Sequence, residues 1–178
     1  MTAEELQALV RTVPDFPKPG ILFRDITTLI GHGAGFAASV ALLADKARAA
    51  GAEAIAGMEA RGFIFGAAVA ARLGLPFVPV RKPGKLPVPV LAIDYALEYG
   101  TDTLEVDPGA IAQGQKVVIL DDLIATGGTA LAAVQLLRRA GAQVDHALFV
   151  IDLPELGGAD RLRAQAITVD PLMAFDGH

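Results

Sequence analysis

Short, almost unbroken apolar runs alternate along this chain with segments whose apolar residues recur at helical spacing. Thr2-x-x-Glu5 is a helix start signal, so residues 2–11 predict a short helix. "VPDFPKPG" (13–20) then ends it, because its three prolines cannot continue a helix, and an irregular arm is expected next. Phe36, Val40, Leu43 and Ala47 fall on one helical face that stops at Gly51. "AEAIAGM" (52–58) reads as a strand, "GFIFGAAVAARLG" (62–74) as a helix and "PFVPVRK" (76–82) as a strand. "KVVIL" (116–120) is a strand with almost no alternation, "GGTALAAVQLLRRAG" (127–141) a helix and "VDHALFVID" (144–152) a strand.

Uninterrupted apolar strands separated by helices predict an open α/β fold, a mostly parallel sheet covered on both faces. The rhythm fails between residues 83 and 106. There "PGKLPVPVLAIDYALEYGTDTLEV" offers prolines, then alternation, then a Gly-Thr-Asp turn, which predicts a loop and an antiparallel hairpin projecting as a candidate lid.

Length narrows the picture: 178 residues fit a single domain, 1–178, with the hairpin at about 83–106 as its flexible part. Hydrophobic residues make up 53% of the chain, yet no run is long and uncharged enough to predict a membrane span. The acidic start "MTAEELQALV" does not resemble a secretory signal, so a cytoplasmic location is expected. Cysteine is absent and the three histidines are scattered, which removes thiolate chemistry and offers no metal cluster. A net charge of -5 argues against a nucleic-acid partner.

Candidate chemistry concentrates in "LDDLIATGGT" (120–129). In open parallel sheets, ligands collect beyond the carboxyl ends of the strands, where this segment must lie. Ala125, Thr126, Gly127, Gly128 and Thr129 form the turn into a helix whose first backbone amides lack internal partners, and the glycines let an anion approach them. No Gly-Lys-Ser/Thr follows, so this is not a P-loop, and "GHGAGF" (31–36) misplaces the third glycine of a dinucleotide fingerprint. Asp121 and Asp122 beside an anion cradle make sense for a bipolar ligand: carboxylates take a sugar's hydroxyls and the amides take its phosphate. A phosphorylated ribose meets both demands. Fixed negative groups also favour the positive charge that a ribose ring develops when it loses its C1 substituent. The same acids can simply cap the next turn, and successive strand residues face opposite ways, so both need not reach a ligand.

An apolar strand followed by Asp-Asp, two apolar residues and "ATGGT" resembles the phosphoribosyl pyrophosphate motif of the type I phosphoribosyltransferases. Within them the chain is similar to the adenine-using family. "VPDFPKPGILFRDIT" (13–27), "EARGFIFGAAVA" (59–70), "LPFVPVRKPGKLP" (75–87), "YALEYGTDTLE" (95–105) and "LDDLIATGGT" occur in that family's order across almost the whole chain. The resemblance implies that adenine and phosphoribosyl pyrophosphate give AMP and pyrophosphate, a purine-salvage transfer. It further implies Mg2+ held mainly by the substrate rather than by protein ligands, and a homodimer.

Site residues follow by the same resemblance. Glu59, Ala60, Arg61 and Gly62 become the pyrophosphate loop, a place that admits a non-proline cis peptide, although the segment alone reads first as a helix-capping turn with a surface arginine. Arg81, Lys82 and Lys85 become pyrophosphate contacts, partly across the dimer interface; as a bare charge cluster they can equally be a solvated face. Leu22, Phe23 and Arg24 supply an apolar and aromatic wall for a flat purine, while Phe23 can also anchor the arm and Arg24 can equally pair with a nearby acid. Leu156 falls where the family lays a leucine against adenine, and core packing suits it too. Glu98, on the lid, is by the resemblance the expected catalytic acid or base at the imidazole edge of the purine, though a lone hairpin glutamate otherwise reads as solvent-exposed, and Tyr95 and Tyr99 help to close the hairpin or simply pack there. One departure stands out: Val88 occupies the place after "KLP" where the family commonly carries glycine, which stiffens the hinge. Two other readings are a non-catalytic sensor of phosphoribosyl pyrophosphate, for which no DNA-binding element is evident, and a transferase using another base.

Overall fold

In the computed structural model, which describes residues 1–97 and 99–177, five parallel strands form the centre. In chain order the elements are α1 (Ala3–Gln7), β1 (Arg11–Pro14), β2 (Leu22–Asp25), α2 (Thr27–Gly31), α3 (Gly33–Ala49), β3 (Ala54–Met58), α4 (Arg61–Leu73) and β4 (Phe77–Val80). There follow β5 (Leu91–Ala96), β6 (Thr101–Val106), β7 (Val117–Ile124), α5 (Gly128–Arg139), β8 (His146–Asp152), α6 (Gly158–Arg163) and β9 (Thr168–Ala174). The sheet runs β4-β3-β7-β8-β9, every neighbouring pair parallel.

Strand alternation sorts the core into two layers. Ala54, Ala56 and Met58 of β3 and Val117 and Ile119 of β7 pack with α5, α6 and the hairpin residues Ile93, Leu104 and Val106. Ile55, Val118 and Leu120 point the other way, into a layer with α1, α2, α3 and α4. Both faces are therefore buried, which explains why these strands read as continuous apolar runs.

Thr2 caps α1 with the capping box that the sequence announces: its hydroxyl accepts from the Glu5 amide while the Glu5 carboxylate accepts from the Thr2 amide. That helix is five residues long, because the chain turns at Ala8 and Leu9 and enters β1 at Arg11. The arm is more ordered than its prolines suggest, since β1 and β2 pair antiparallel from Arg11↔Asp25 to Pro14↔Leu22.

The expected hairpin is present as β5 and β6, registered from Leu91↔Val106 to Ala96↔Thr101. Its base is part of the core rather than a free projection. Arg81 and Glu105 exchange two backbone hydrogen bonds of 2.9 and 2.8 Å, tying β6 to the chain just past β4. None of the described helices is long and apolar enough to cross a membrane.

Candidate active site

β7 carries the chemistry out of the sheet. It extends to Ile124, so Asp121 and Asp122 are strand residues. The alternation slips between them: Leu123 packs with the α3–α4 layer and Ile124 with the α5 layer, the reverse of the parity of Val117 to Leu120. Pairing with β8 joins Asp121↔Phe149 and Leu123↔Ile151 and passes over Asp122. As a result both carboxylates line one cleft of about 260 Å³, with Glu59, Ala60, Arg61, Lys82 and the turn Ala125 to Thr129. Strict alternation would have sent one of them elsewhere.

This pair is electrostatically uncomfortable. Asp122 is 3% exposed, and its amide donates to Asp121 Oδ1 at 2.9 Å. Arg61 Nε lies 2.9 Å from Asp122 Oδ2 as an ion pair, and among the described residues Oδ2 accepts no hydrogen bond. Burial, with the neighbouring Asp122 charge behind it, pushes the Asp121 carboxyl well above the ordinary carboxylate range. Burial also raises Asp122, against the pull of Arg61. The two titrate as one unit holding protons more tightly than isolated carboxylates do. Because these folded-state values are raised, ionising the pair costs stability as pH climbs above the ordinary carboxylate value.

The other end of the cleft has the opposite character. Gly127, at φ +79°, is the N-cap of α5, and among the described residues no side chain caps the helix's first amides, which leaves them to an anion. A Cβ there would sit 2.9 Å from the Gly158 Cα and carbonyl oxygen, so both the turn's conformation and its packing exclude a side chain. Gly158 in turn donates its amide to the Ala125 carbonyl at 3.0 Å, bracing the turn from the start of α6. Thr126 is exposed within the turn, and the Thr129 hydroxyl donates to Tyr95 at 3.4 Å.

The Glu59–Ala60 peptide is cis, and α4 starts at the next residue, Arg61. Glu59 faces the next loop rather than solvent: Oε1 accepts from Arg81 at 3.1 Å and Oε2 from the Lys82 amide at 2.8 Å. The Lys82 amide bond, outweighing burial and helped by Arg81, holds its carboxyl below the usual range. Gly62 lies against the acidic pair, where a Cβ would come within 2.6 Å of Asp121 Oδ1.

The three cations expected as one cluster have separate fates. Arg81 turns back onto Glu59 and, at 3.3 Å, the Lys85 carbonyl, while the Lys85 side chain is exposed. Only Lys82 of the three lines the cleft, where its ammonium bonds Asp102 and, at 3.2 Å, Tyr95.

Leu22, Phe23 and Arg24 occupy β2. Phe23 meets Phe16 edge to face at 5.1 Å. The Arg24 guanidinium is committed elsewhere: it donates to Thr12 Oγ1 at 2.6 Å and to the Asp176 carbonyl at 2.8 Å, and lies 4.6 Å from the Phe175 ring centre. Leu156 ends a short 3-10 turn, Pro154–Leu156, half-buried against the α3–α4 layer. A clasp links these pieces, because the Gly177 amide donates to Glu155 at 3.2 Å while Gly177 abuts Leu22. Sequence patterning offers no signal for this C-terminal clasp, nor for Asp102. Glu98 lies outside the described residues.

A cleft with acids at one end and bare helix amides at the other, at the carboxyl end of a parallel strand, has the character that a phosphorylated sugar would need. The phosphoribosyl transferase domain family matches residues 30–169. Adenine phosphoribosyltransferases from Erythrobacter litoralis and Novosphingobium aromaticivorans are each 74% identical over all 178 residues, covering 100% of both chains. The crystal structure of the adenine phosphoribosyltransferase from Thermoanaerobacter pseudethanolicus superposes with a TM-score of 0.92 at 46% identity, covering 98% of this chain and 100% of that one. The Saccharomyces cerevisiae enzyme, complexed with an imino-altritol bisphosphate and adenine, gives 0.90 at 37% identity over 96% and 98%. The chain belongs to the phosphoribosyltransferases and, within them, to the adenine phosphoribosyltransferase family.

Proposed function

We propose that this chain transfers the phosphoribosyl group of phosphoribosyl pyrophosphate to adenine, giving AMP and releasing pyrophosphate. The observation that carries the reading is the two-ended cleft: buried carboxylates beside a helix start with free amides. The Ala125–Thr129 turn takes the 5-phosphate, with the Thr126 and Thr129 hydroxyls as added donors. Asp121 and Asp122 take the ribose hydroxyls. While a proton is retained one of them donates; once ionised both accept, and the ionised form stabilises the positive charge that grows on the ring as the C1–O bond breaks. The electron pair of that bond leaves with pyrophosphate, toward the Ala60–Gly62 amides, Arg61 and Lys82. An imidazole nitrogen of adenine forms the new bond to C1. Glu98 manages the proton that this edge of the purine must lose.

The described residues hold no cluster of three or more metal-ligating side chains, and Arg61 lies beside Asp122 Oδ2, which fits a hard divalent cation carried mainly by the substrate's own oxygens. Mg2+ brought in by pyrophosphate would sit near this acidic pair and ease departure of the leaving group. Leu22, Phe23 and Leu156 supply the apolar wall for the base, and the Arg24 guanidinium supports that wall through the C-terminal segment. The whole chain acts as one domain, located in the cytoplasm and associated as a two-fold dimer of twice the 18.4 kDa chain mass.

The test is an assay of pure protein with phosphoribosyl pyrophosphate, Mg2+ and each of adenine, hypoxanthine, guanine and xanthine. Adenine alone should be consumed; preference for hypoxanthine or guanine would refute the substrate, and no turnover with any base would refute the enzyme.

A further inference from the structure

Tyr95 and Asp102 face each other across the hairpin as a registered pair of β5 and β6. Four groups converge there. The Tyr95 hydroxyl donates to Asp102 Oδ2 at 3.2 Å, and its two lone pairs then accept from the Lys82 ammonium at 3.2 Å and the Thr129 hydroxyl at 3.4 Å. Lys82 also bonds Asp102 directly. The Asp102 rotamer is itself set, because Oδ1 accepts from the Thr103 amide at 2.8 Å. Lys82 and Thr129 both line the cleft, and Tyr95, which is not among its lining residues, bonds both of them.

A flexible lysine would lose much rotamer freedom on binding an anion, and a carboxylate that already holds the ammonium at the wall removes part of that loss. We infer that Asp102 and Tyr95 are positioning residues for phosphoribosyl pyrophosphate: Asp102 holds the Lys82 ammonium at the cleft wall, and Tyr95 ties that lysine to Thr129 in the phosphate turn. The inference rests on the reading of the cleft given above. It makes the hairpin base part of the substrate site through Lys82, without touching the substrate.

A double-mutant cycle tests it, with steady-state kinetics for both substrates. Asp102→Asn keeps an acceptor for the Thr103 amide but removes the charge. It should raise KM for phosphoribosyl pyrophosphate about fivefold to tenfold, a modest effect because the pair is partly exposed, and leave kcat within about twofold. Lys82→Met should raise the same KM by more. In the Lys82→Met background, Asp102→Asn should change that KM by less than about twofold, because the positioned group is gone. Equal rises in both backgrounds would reduce Asp102 to a structural role and overturn the inference, and so would an unchanged or lowered KM in the single variant. A Lys82→Met enzyme with wild-type KM would overturn the inference together with the role given to Lys82. If Asp102→Asn fails to fold, the cycle of Tyr95→Phe with Lys82→Met decides by the same criteria.

Discussion

The two walls of the cleft handle charge in opposite ways. On the hairpin side, the Lys82 ammonium, the Asp102 carboxylate and the Tyr95 hydroxyl satisfy one another, and their bonds hold Asp102 below its usual range. The end of β7 brings two carboxylates together with too few partners, and burial drives both upward. Paired charge stabilises the fold, whereas unpaired buried charge destabilises it and marks a candidate functional group. The difference separates scaffold from proposed chemistry: Glu59, Arg81 and Asp102 are tied to neighbouring groups in the walls, whereas Asp121, Asp122 and the amide turn are the groups assigned to the substrate under the proposed function.

Breaking the phosphate end should have the largest effect. Gly127→Ala forces a side chain into a left-handed turn and against Gly158, so kcat/KM should fall at least about 100-fold, the scale for losing a preorganised set of donors. An activity within threefold of wild type would mean that the turn does not cradle the phosphate. Glu98→Gln should slow turnover at least about tenfold while phosphoribosyl pyrophosphate still binds, as measured by titration calorimetry. Unchanged turnover, with chemistry limiting in the wild type, would remove Glu98 from proton transfer.

Smaller effects sharpen the paired side of the comparison. Asp25 accepts from the Thr27 side chain and amide and from Arg11, which lower its carboxyl to about 2. Its stabilisation is therefore complete above the ordinary value of 3.8 and lost as pH falls toward about 2. Asp25→Asn should lower the thermal midpoint at pH 7, and the gap to wild type should close in acid melts across that window. A gap independent of pH would show that the carboxylate charge is not what stabilises the arm.

Much of this was readable from patterning because both sheet faces are buried. The runs at β3, β7 and β8 lack alternation for that reason, and the Gly127–Gly128 corner advertises a close approach. β9 was hidden by Asp170 and Pro171 in a half-buried edge strand, where a missing amide is tolerated. β1 and β2 were hidden by the prolines between and within them. Gly-Thr-Asp reads as a turn, yet the Leu97 amide closes onto the Gly100 carbonyl, which places Asp102 in β6 opposite Tyr95. The slip at Asp121 and Asp122 depends on how β7 meets β8 and α4, a tertiary fact that no local pattern encodes.

Asp121→Asn, followed by thermal melts of the ligand-free protein from pH 5 to 8 alongside steady-state turnover, bears most directly on charge held in reserve for the sugar. The variant's melting advantage over wild type should grow as pH climbs above the ordinary carboxylate value and level off once the wild-type pair is ionised, while kcat/KM falls at least about 100-fold. A variant that melts lower at every pH and keeps its turnover would show that Asp121 braces the scaffold and leaves the chemistry to other groups.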